Sequence, residues 1–296
     1  MTCPVCKAPG SADMGSVRGP KQPGRLSRFT ENRVRRCRRC GLLFVCPTVF
    51  LDQADFAEMY VREYFRWNNR FWQIRQRREI RQRLGILSRL HGRASSFLDI
   101  GCGRGDALAE AAERGLETTG IDVSDNLRRG PAELRFLRGR LHELIERENL
   151  ASSFDLAYMN SVLEHVEDPC EFMRDVFLVL RPGGVAYIGV PKEGSLRNRF
   201  GGLLRRLITR RGVCGALPVI RPPYHLWGFT RKSVKLLASS VGFDVAETHI
   251  RAGLIDLLRN PPLSRGFVLE AATLPAAILG AIGGDGYYLE LFLRKP

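Results

Sequence analysis

Three closely spaced glycines are the first feature of this 296-residue sequence that suggests chemistry. Gly101, Gly103 and Gly105 directly follow a mostly apolar predicted strand at 96–100, and a helical pattern begins beyond them. Glycine has no Cβ, so the backbone can approach a bound molecule closely at these positions. The N–H groups at the start of the helix add hydrogen-bond donors. The pattern predicts a loop that binds a nucleotide-like cofactor, with Cys102 inside it.

Acidic residues around the loop indicate the kind of cofactor. A loop that binds a dinucleotide has a third glycine where this sequence has Asp106. Asp99 lies on the strand before the loop, and two carboxylates would repel a pyrophosphate but suit a cationic amino-acid group. Asp122 ends the next predicted strand, 17 residues beyond the last glycine, and Val123 and Ser124 follow it. A carboxylate there can accept hydrogen bonds from both hydroxyls of a ribose.

Two pairs of cysteines have the spacing of a zinc site. Cys3 and Cys6 form one C-x-x-C pair, and Cys37 and Cys40 form the other. Four thiolates bind Zn²⁺ tetrahedrally and leave no open position, so the metal would be structural. The 30 residues between the pairs exceed the usual gap of a zinc ribbon, but a long loop closes at little extra entropic cost. Free thiols are the alternative, although a segment this short and polar lacks a core of its own.

Positive charge is concentrated at the start of the sequence. The net charge is +15, and residues 1–93, with 20 basic and 7 acidic residues, contribute +13 of it. Such a segment is typical of contact with a polyanion or a membrane surface, but a solvated arginine-rich surface accounts for it equally well. The first residues lack the basic and apolar regions of a signal peptide, so we expect a cytoplasmic protein with reduced thiols.

Short apolar runs alternate with helical patterns over residues 94–190, which is typical of a parallel sheet with connecting helices. Strands are predicted at 96–100, 117–122, 134–137, 154–160, 185–190, 243–250 and 287–294. Helices are predicted at 51–92, 106–114, 126–130, 141–148, 170–180 and 230–241. The expected organisation is a zinc-ribbon-like segment at 1–50, a helical cap at 51–92 and a larger domain at 93–296, with a lid inserted at 190–228.

Two further segments are predicted to be helical. Residues 196–208 alternate leucine and phenylalanine with arginine, as basic amphipathic helices do. We expect a solvated cover of the domain there, with peripheral membrane contact as the alternative. Residues 267–282 are apolar, but they contain Glu270 and Pro275 and are short for a membrane span. We therefore expect a buried or lid helix.

Several sequence blocks occur in the order found in one enzyme family. They are LDIGCGRG at 98–105, GIDVS at 120–124, FDL at 154–156, VLEHVEDP at 162–169, LRPGG at 180–184, and the segment from FT at 229–230 to GF at 242–243. In this combination the sequence resembles the class I S-adenosylmethionine-dependent methyltransferases, especially small-molecule methyltransferases with an N-terminal zinc ribbon. The resemblance covers residues 37–296. It implies an α/β fold with a Rossmann-like, seven-stranded, mostly parallel sheet whose last strand is antiparallel, preceded by a small zinc ribbon.

The resemblance also implies roles for the residues that match the family. Asp99, Gly101 and Gly103 would surround the methionine part of S-adenosylmethionine, with Cys102 and Gly105 in the same loop. Asp122 would bind the ribose, and Val123, followed by Ser124, would pack near the adenine.

The resemblance implies roles for two more residues, whereas one region differs from the family pattern. Asn160, at the end of the fourth strand, would lie beside the sulfonium. Tyr64 belongs to a helix that covers the cofactor in related enzymes, although aromatic residues at its spacing are more often part of a core. The family often has an acidic or amide residue near the adenine amino group after the third strand, where this sequence has RGRL at 138–141. We assign no adenine contact there.

Three residues are candidates for contact with the methyl acceptor. The sulfonium is already activated, so the protein mainly aligns nucleophile, methyl and sulfur. An oxygen nucleophile must also lose a proton, and histidine is the base best matched to neutral pH. His165 follows the fourth strand, although a structural histidine is slightly favoured there. His225 and Tyr224 lie where the family's lid approaches the active site.

The favoured function is methylation of a small or glycosylated molecule, such as a sugar or a cell-surface or secondary-metabolite precursor. Methylation of RNA is a second hypothesis, in which the basic N-terminal region would bind the phosphate backbone. It is not favoured, because no aromatic-rich nucleic-acid motif is present. A non-catalytic module that retains the cofactor is the third hypothesis. The motifs do not determine whether oxygen, nitrogen or carbon is methylated, nor the oligomeric state.

Overall fold

A computed structural model describes most of the chain. The described residues are 1–17, 32–48, 51, 54–55, 58, 70–128, 130, 134–209, 219–220, 222, 224–251 and 265–296. Tyr64, a predicted cofactor contact, lies outside them, as does most of the first half of the helical cap predicted at 51–92.

Strands and helices follow one another in the order expected of an α/β protein. The strands are β1 (Ser11–Val17), β2 (Asn32–Cys37), β3 (Leu43–Cys46), β4 (Ser96–Ile100), β5 (Glu117–Asp122), β6 (Arg135–Arg138), β7 (Phe154–Asn160), β8 (Leu180–Pro191), β9 (Trp227–Gly228), β10 (Asp244–Arg251) and β11 (Tyr288–Arg294). The helices are α1 (Arg70–His91), α2 (Asp106–Ala112), α3 (Leu141–Arg147), α4 (Pro169–Val179), α5 (Leu196–Thr209), α6 (Arg231–Ser240) and α7 (Arg265–Ile282).

The larger of two sheets has seven strands in the order β10-β11-β8-β7-β4-β5-β6. Strands β8, β7, β4, β5 and β6 are parallel to one another, and β11 runs antiparallel between β8 and β10. The sequence-based prediction of a Rossmann-like, mostly parallel sheet with an antiparallel last strand is confirmed.

Burial on both faces explains why β4 and the middle residues of β7 and β8 are largely apolar. Successive side chains of a strand point to opposite faces of a sheet. On β4, Phe97 packs into the core with α1 and α2, whereas Leu98 packs into the core with α3, α4 and α6. All five residues of β4 are buried. With both faces covered, functional side chains can only collect where the strands end.

One predicted helix is wrong. Residues 126–130 form no helix among their described positions. Leu127 instead packs against the core beside α1 and α2, and the Arg128 N–H donates to the carbonyl oxygen of Arg104 at 3.2 Å. Contacts with distant residues therefore outweigh a weak local preference for helix.

The cysteine-bearing segment shares a sheet with the region predicted as the lid. The smaller sheet has the order β1-β2-β3-β9, and β9 pairs antiparallel with β3. Trp227 of β9 donates from Nε1 to the carbonyl oxygen of Val166 at 2.6 Å. Thr230, which caps α6, donates from Oγ1 to the carbonyl oxygen of Cys40 at 2.7 Å. The smaller sheet is thereby attached to the loop that follows β7 and to the start of α6.

Helices α5 and α7 pack on each other and expose apolar side chains. On α5, Phe200, Leu203 and Leu207 are exposed, and on α7 so are Leu279 and Ile282. These residues lie on the segments predicted as a basic amphipathic helix and an apolar helix, and contact with a membrane surface through 196–208 stays a prediction. Within the described residues, no helix combines the length and apolar character required to span a membrane.

Asp155 connects the starts of two neighbouring strands. Its Oδ2 accepts hydrogen bonds from the N–H groups of Ser95 and Ser96 at 2.8 and 3.1 Å, and from the Ser95 hydroxyl at 2.9 Å. Its Oδ1 accepts from Arg181 at 2.8 Å. Burial raises the pKa of Asp155, but these donors outweigh burial and hold the pKa well below its usual range.

The Asp155→Asn substitution is expected to destabilise the protein by about 2–3 kcal/mol at pH 7, because hydrogen bonds to a carboxylate are lost. A pKa lower in the folded than in the unfolded state gives stability that is present above the unfolded value and lost as the pH falls. The difference between wild type and variant should therefore shrink below about pH 4. Urea unfolding at pH 7 and pH 3 measures it, with exposed Glu146→Gln as the control. An equal difference at both pH values would contradict this role.

Candidate cofactor and active site

The carboxyl ends of β4, β5 and β7 border a cavity of about 590 Å³. Cavities of this size accommodate cofactor-sized ligands, and in open α/β sheets ligands bind at this edge. Seven of the predicted site residues are among its lining: Gly101, Gly103, Asp122, Val123, Ser124, Asn160 and His165.

The glycine loop is shaped by close contact with the loop that follows β7. Gly101 has φ +71°, and a Cβ at this position would lie 2.5 Å from Cγ2 of Val162. No other residue fits there without displacing Val162. The N–H groups of Gly101 and Cys102 donate to the carbonyl oxygen of Ile121 at 2.8 and 3.1 Å. Gly105 is the N-cap of α2 in a left-handed conformation. The loop is thus held against the end of β5.

Asp122 organises the cavity wall from the end of β5. Its Oδ2 accepts a hydrogen bond from the Gly103 N–H at 2.8 Å, and its Oδ1 accepts from the N–H and hydroxyl of Ser124 at 2.8 and 2.6 Å. A carboxylate has about four acceptor positions, and these bonds use three. Both hydroxyls of a ribose can bind once the Ser124 hydroxyl turns away.

Asp99 is buried just before the glycine loop, outside the residues that line the cavity, and its negative charge would be costly without a cationic ligand. Asp99 is 3% exposed, and burial, together with the charges of Asp122 and Asp106, raises its pKa well above the usual range. A cationic group bound nearby would favour the ionised form of Asp99. Burial also raises the pKa of the Cys102 thiol, which makes that thiol unreactive.

Asn160 is held from behind by two tyrosines. Its Oδ1 accepts hydrogen bonds from the hydroxyls of Tyr187 at 3.1 Å and Tyr288 at 3.0 Å. The Tyr288 hydroxyl also contacts Ser161 Oγ at 2.8 Å. A Cβ on Gly189 would lie 2.4 Å from the Tyr187 hydroxyl and 2.7 Å from Asn160 Oδ1, so this arrangement requires glycine. With Oδ1 occupied by two donors, the Asn160 amide is fixed in one orientation.

A buried ion pair extends this network across the sheet. Glu290, which is fully buried, accepts a hydrogen bond from Arg83 Nε at 2.7 Å, and its Oε1 also lies 3.1 Å from the Tyr187 hydroxyl, whose one hydrogen is shared between Glu290 and Asn160. Its second oxygen accepts from Arg251 Nε at 2.6 Å. Sequence reasoning missed these residues. The only indication of these residues in the sequence was that charged side chains occur within otherwise apolar segments.

The three candidate acceptor contacts lie together, but not with equal access to the cavity. Only His165 is among the described lining residues. Its Nδ1 hydrogen-bonds the carbonyl oxygen of Tyr224 at 2.7 Å, and its ring meets that of His225 edge-on with centroids 4.7 Å apart. Burial, and then the neighbouring His225, lowers the pKa of His165 to about 3. The ring is therefore neutral and, in this arrangement, a weak base.

Arg140 lines the cavity after β6, in the region where the sequence departs from the family. It pairs with Glu167 at 3.3 Å and donates to the carbonyl oxygen of Leu51. The Leu51 N–H in turn donates to Glu167 at 2.9 Å. Leu51 is thereby attached at the cavity rim, which local sequence patterns did not indicate.

The four predicted zinc ligands converge at one point. The sulfur atoms of Cys3 and Cys40 are 3.7 Å apart, and those of Cys6 and Cys37 are 3.5 Å apart. Tetrahedral Zn²⁺ with bonds of about 2.3 Å places its sulfurs about 3.8 Å apart, so the set fits the metal, whereas a disulfide is far shorter. The N–H groups of Cys6 and Cys40 point at the sulfurs of Cys3 and Cys37 at 3.5 Å. The contact between Cys3 and Cys40 lowers the pKa of Cys3 and raises that of Cys40, because the two sulfurs share one proton when no metal is bound.

This sheet order, with a glycine loop and an acidic residue after successive strands, defines a class I methyltransferase. The sequence matches the methyltransferase-domain family over residues 64–248, and the chain belongs to that family. It is an S-adenosylmethionine-dependent methyltransferase.

Similar proteins include several that methylate named small molecules. The ubiquinone biosynthesis O-methyltransferase of Paraburkholderia phymatum is 31% identical over 167 residues, which are 53% of this chain and 71% of that protein. The trans-aconitate 2-methyltransferase of Deinococcus radiodurans is 35% identical over 149 residues, which are 43% of this chain and 54% of that protein. Other ubiquinone biosynthesis O-methyltransferases are matched over 38% to 62% of their length.

A solved structure supports the fold over most of the chain. The 1,6-didemethyltoxoflavin-N1-methyltransferase of Burkholderia thailandensis, with bound 1,6-didemethyltoxoflavin and S-adenosylhomocysteine, has a TM-score of 0.52. The match covers 86% of this chain and 95% of that one. At 18% identity the likeness concerns the fold alone.

Proposed function

We propose that this enzyme transfers the methyl group of S-adenosylmethionine to a small organic molecule by direct in-line displacement. The observation that carries the proposal is one continuous cavity, which runs from the glycine loop and Asp122 past Asn160 to His165. It is large enough for a cofactor together with part of a compact acceptor. The names of two similar proteins, a ubiquinone biosynthesis O-methyltransferase and a trans-aconitate 2-methyltransferase, support a small-molecule acceptor.

Binding of the cofactor follows from the residues at the strand ends. The cofactor supplies an activated methyl group on a sulfonium. Asp122 would accept the ribose hydroxyls, the backbone of Gly101 and Gly103 would approach the methionine part, and Asp99 would provide compensating negative charge. Asn160, held rigid by its two tyrosine partners, would contact the region of the sulfonium. Alignment of reacting atoms by fixed groups of this kind can supply much of the acceleration.

The acceptor would occupy the end of the cavity near His165. The neutral His165 ring is poorly suited to remove a proton from the acceptor. Within the small-molecule class, we favour a glycosylated compound or a sugar, cell-surface or secondary-metabolite precursor, because hydrogen-bonding groups line this end of the cavity. Tyr224 and His225 are then second candidates for contact with the acceptor.

We also propose that Cys3, Cys6, Cys37 and Cys40 hold a structural Zn²⁺. The sulfur distances, the N–H groups directed at sulfur and the burial of three of the four residues support it. A closed set of four thiolates takes no part in the transfer. Its effect on catalysis would be indirect, through β3 and its pairing with β9.

Incubation of the purified enzyme with methyl-labelled cofactor and an extract of the source organism would identify the acceptor. We expect label in one or a few small molecules, and none with the Asp122→Ala variant. Label in RNA would favour the nucleic-acid alternative instead. No labelled product across extracts grown under varied conditions, although the cofactor binds, would favour a non-catalytic module.

A further inference from the structure

Glu164 is a buried carboxylate without a bonding partner. It is 1% exposed, and among the described residues neither of its oxygens has a hydrogen-bond partner. Buried polar groups are almost always satisfied, and an ionised carboxylate in this position is costly unless a cation is present. Glu164 has no part in the cofactor site described above.

Two imidazoles lie beside this carboxylate. Nε2 of His165 is 3.8 Å from Oε1 of Glu164. Glu164, His165 and His225 each offer one ligand atom, and these three atoms lie within 4.8 Å of one another. The grouping is long-range, because His225 lies sixty residues further along the chain.

The hydrogen bonds of the two rings are those of metal-binding histidines. Nδ1 of His165 bonds the carbonyl oxygen of Tyr224 at 2.7 Å, and Nδ1 of His225 bonds the carbonyl oxygen of Val219 at 2.8 Å. A carbonyl can only accept, so Nδ1 carries the hydrogen in each ring and Nε2 carries the lone pair. Histidines that bind metals are typically oriented by a carbonyl or carboxylate at the other nitrogen in this way.

We propose that Glu164, His165 and His225 form a second metal site, which binds a divalent transition-metal cation of the Zn²⁺ type. Two imidazole nitrogens and one carboxylate oxygen are a ligand set suited to such ions. Ligand atoms about 2.1 Å from a tetrahedral ion are about 3.4 Å apart, so binding would draw the three side chains together by about 1 Å. The cation would supply the charge that the buried carboxylate requires.

The position of the site indicates a use for it. Three protein ligands leave at least one coordination position for another group, and His165 lines the cavity at the acceptor end. A hydroxyl or carboxylate oxygen of the acceptor could bind there, and a metal-bound hydroxyl loses its proton more readily. This use rests on the proposed function, whereas metal binding itself does not.

Zinc titration of the full-length chain by calorimetry, under reducing conditions and without cofactor, tests the site. We expect wild type to bind one Zn²⁺ more than Glu164→Gln, and His225→Ala to lose the same ion or to bind it at least about 100-fold more weakly. The partly exposed His249→Ala serves as the control and should bind as wild type does. Glu164→Gln is nearly isosteric, and thermal unfolding establishes that each variant is folded.

Equal zinc stoichiometry and affinity in wild type, Glu164→Gln and His225→Ala would overturn the proposal and make Glu164 a protonated buried acid. The labelling experiment is independent of this result. If the enzyme transfers the methyl group but wild type binds no additional Zn²⁺, only the metal site is rejected. If wild type binds the additional Zn²⁺ but no methyl group is transferred, only the proposed function is rejected.

Discussion

The Asp122→Ala variant is expected to bind S-adenosylmethionine roughly 30- to 1000-fold more weakly than wild type. The physical reason is the loss of a charged acceptor for two ribose hydroxyls, each such hydrogen bond being worth about 1–2 kcal/mol. Part of the loss comes from the protein itself, because Asp122 also holds the Gly103 and Ser124 N–H groups in place. Calorimetry with S-adenosylmethionine or S-adenosylhomocysteine measures the change.

Two further variants separate these contributions. Asp122→Asn retains one acceptor oxygen and should lose less affinity than Asp122→Ala. The exposed Asp125→Ala removes a carboxylate three residues away and should bind as wild type does. Unchanged affinity in a folded Asp122→Ala protein would reject the ribose site and, with it, the placement of the cofactor along β5.

Loss of zinc and loss of stability are expected together in the Cys40→Ala variant. Wild type purified without chelators should contain one thiolate-bound Zn²⁺ more than the variant. Binding of structural zinc is worth about 10–16 kcal/mol in isolated small domains, and part of it is folding free energy. We expect several kcal/mol of destabilisation, which corresponds to a fall in Tm of about 10 °C or more.

The destabilisation should extend beyond the cysteine segment. The carbonyl oxygen of Cys40 accepts a hydrogen bond from Thr230, and β3 pairs with β9. Cys46→Ala is the matched control, because Cys46 is half-buried and its sulfur contacts Met1 rather than the other four cysteines. Elemental analysis and thermal unfolding measure both effects. Equal zinc content in wild type and Cys40→Ala, or no zinc in either, would remove the metal from this site.

Features encoded by neighbouring residues could be predicted from the sequence. The apolar strand, the glycines and the helix start at 97–106 act within ten residues, and only a strand–loop–helix unit satisfies all of them. Asp122 could be placed for the same reason, since it ends the next strand of a parallel sheet. The glycine at 101 shows the limit of such reasoning. Its left-handed conformation is local, but its contact with Val162 is not.

The metal and acceptor regions were predicted less completely. The C-x-x-C pairs indicated four ligands, because two residues of spacing allow two sulfurs to reach one ion. His165 and His225 were both candidates, but nothing in the sequence indicated that His225 lies beside His165 and Glu164. That residue appeared only as part of a family motif, and its burial without a partner is a property of the packed protein.

The sequence by itself determined the parallel sheet, the glycine loop with Asp122 at its edge, and the two cysteine pairs. Hydrophobic periodicity, glycine positions and short spacings reflect physical constraints that act over a few neighbouring residues. Such constraints can therefore be recognised directly from the sequence. Tertiary structure alone decided that 126–130 is not a helix, that Arg83 meets Glu290 behind Asn160, and that β9 joins the cysteine sheet. These outcomes depend on pairs as many as 207 residues apart, and each is decided by burial and hydrogen bonding that exist only after the chain has folded.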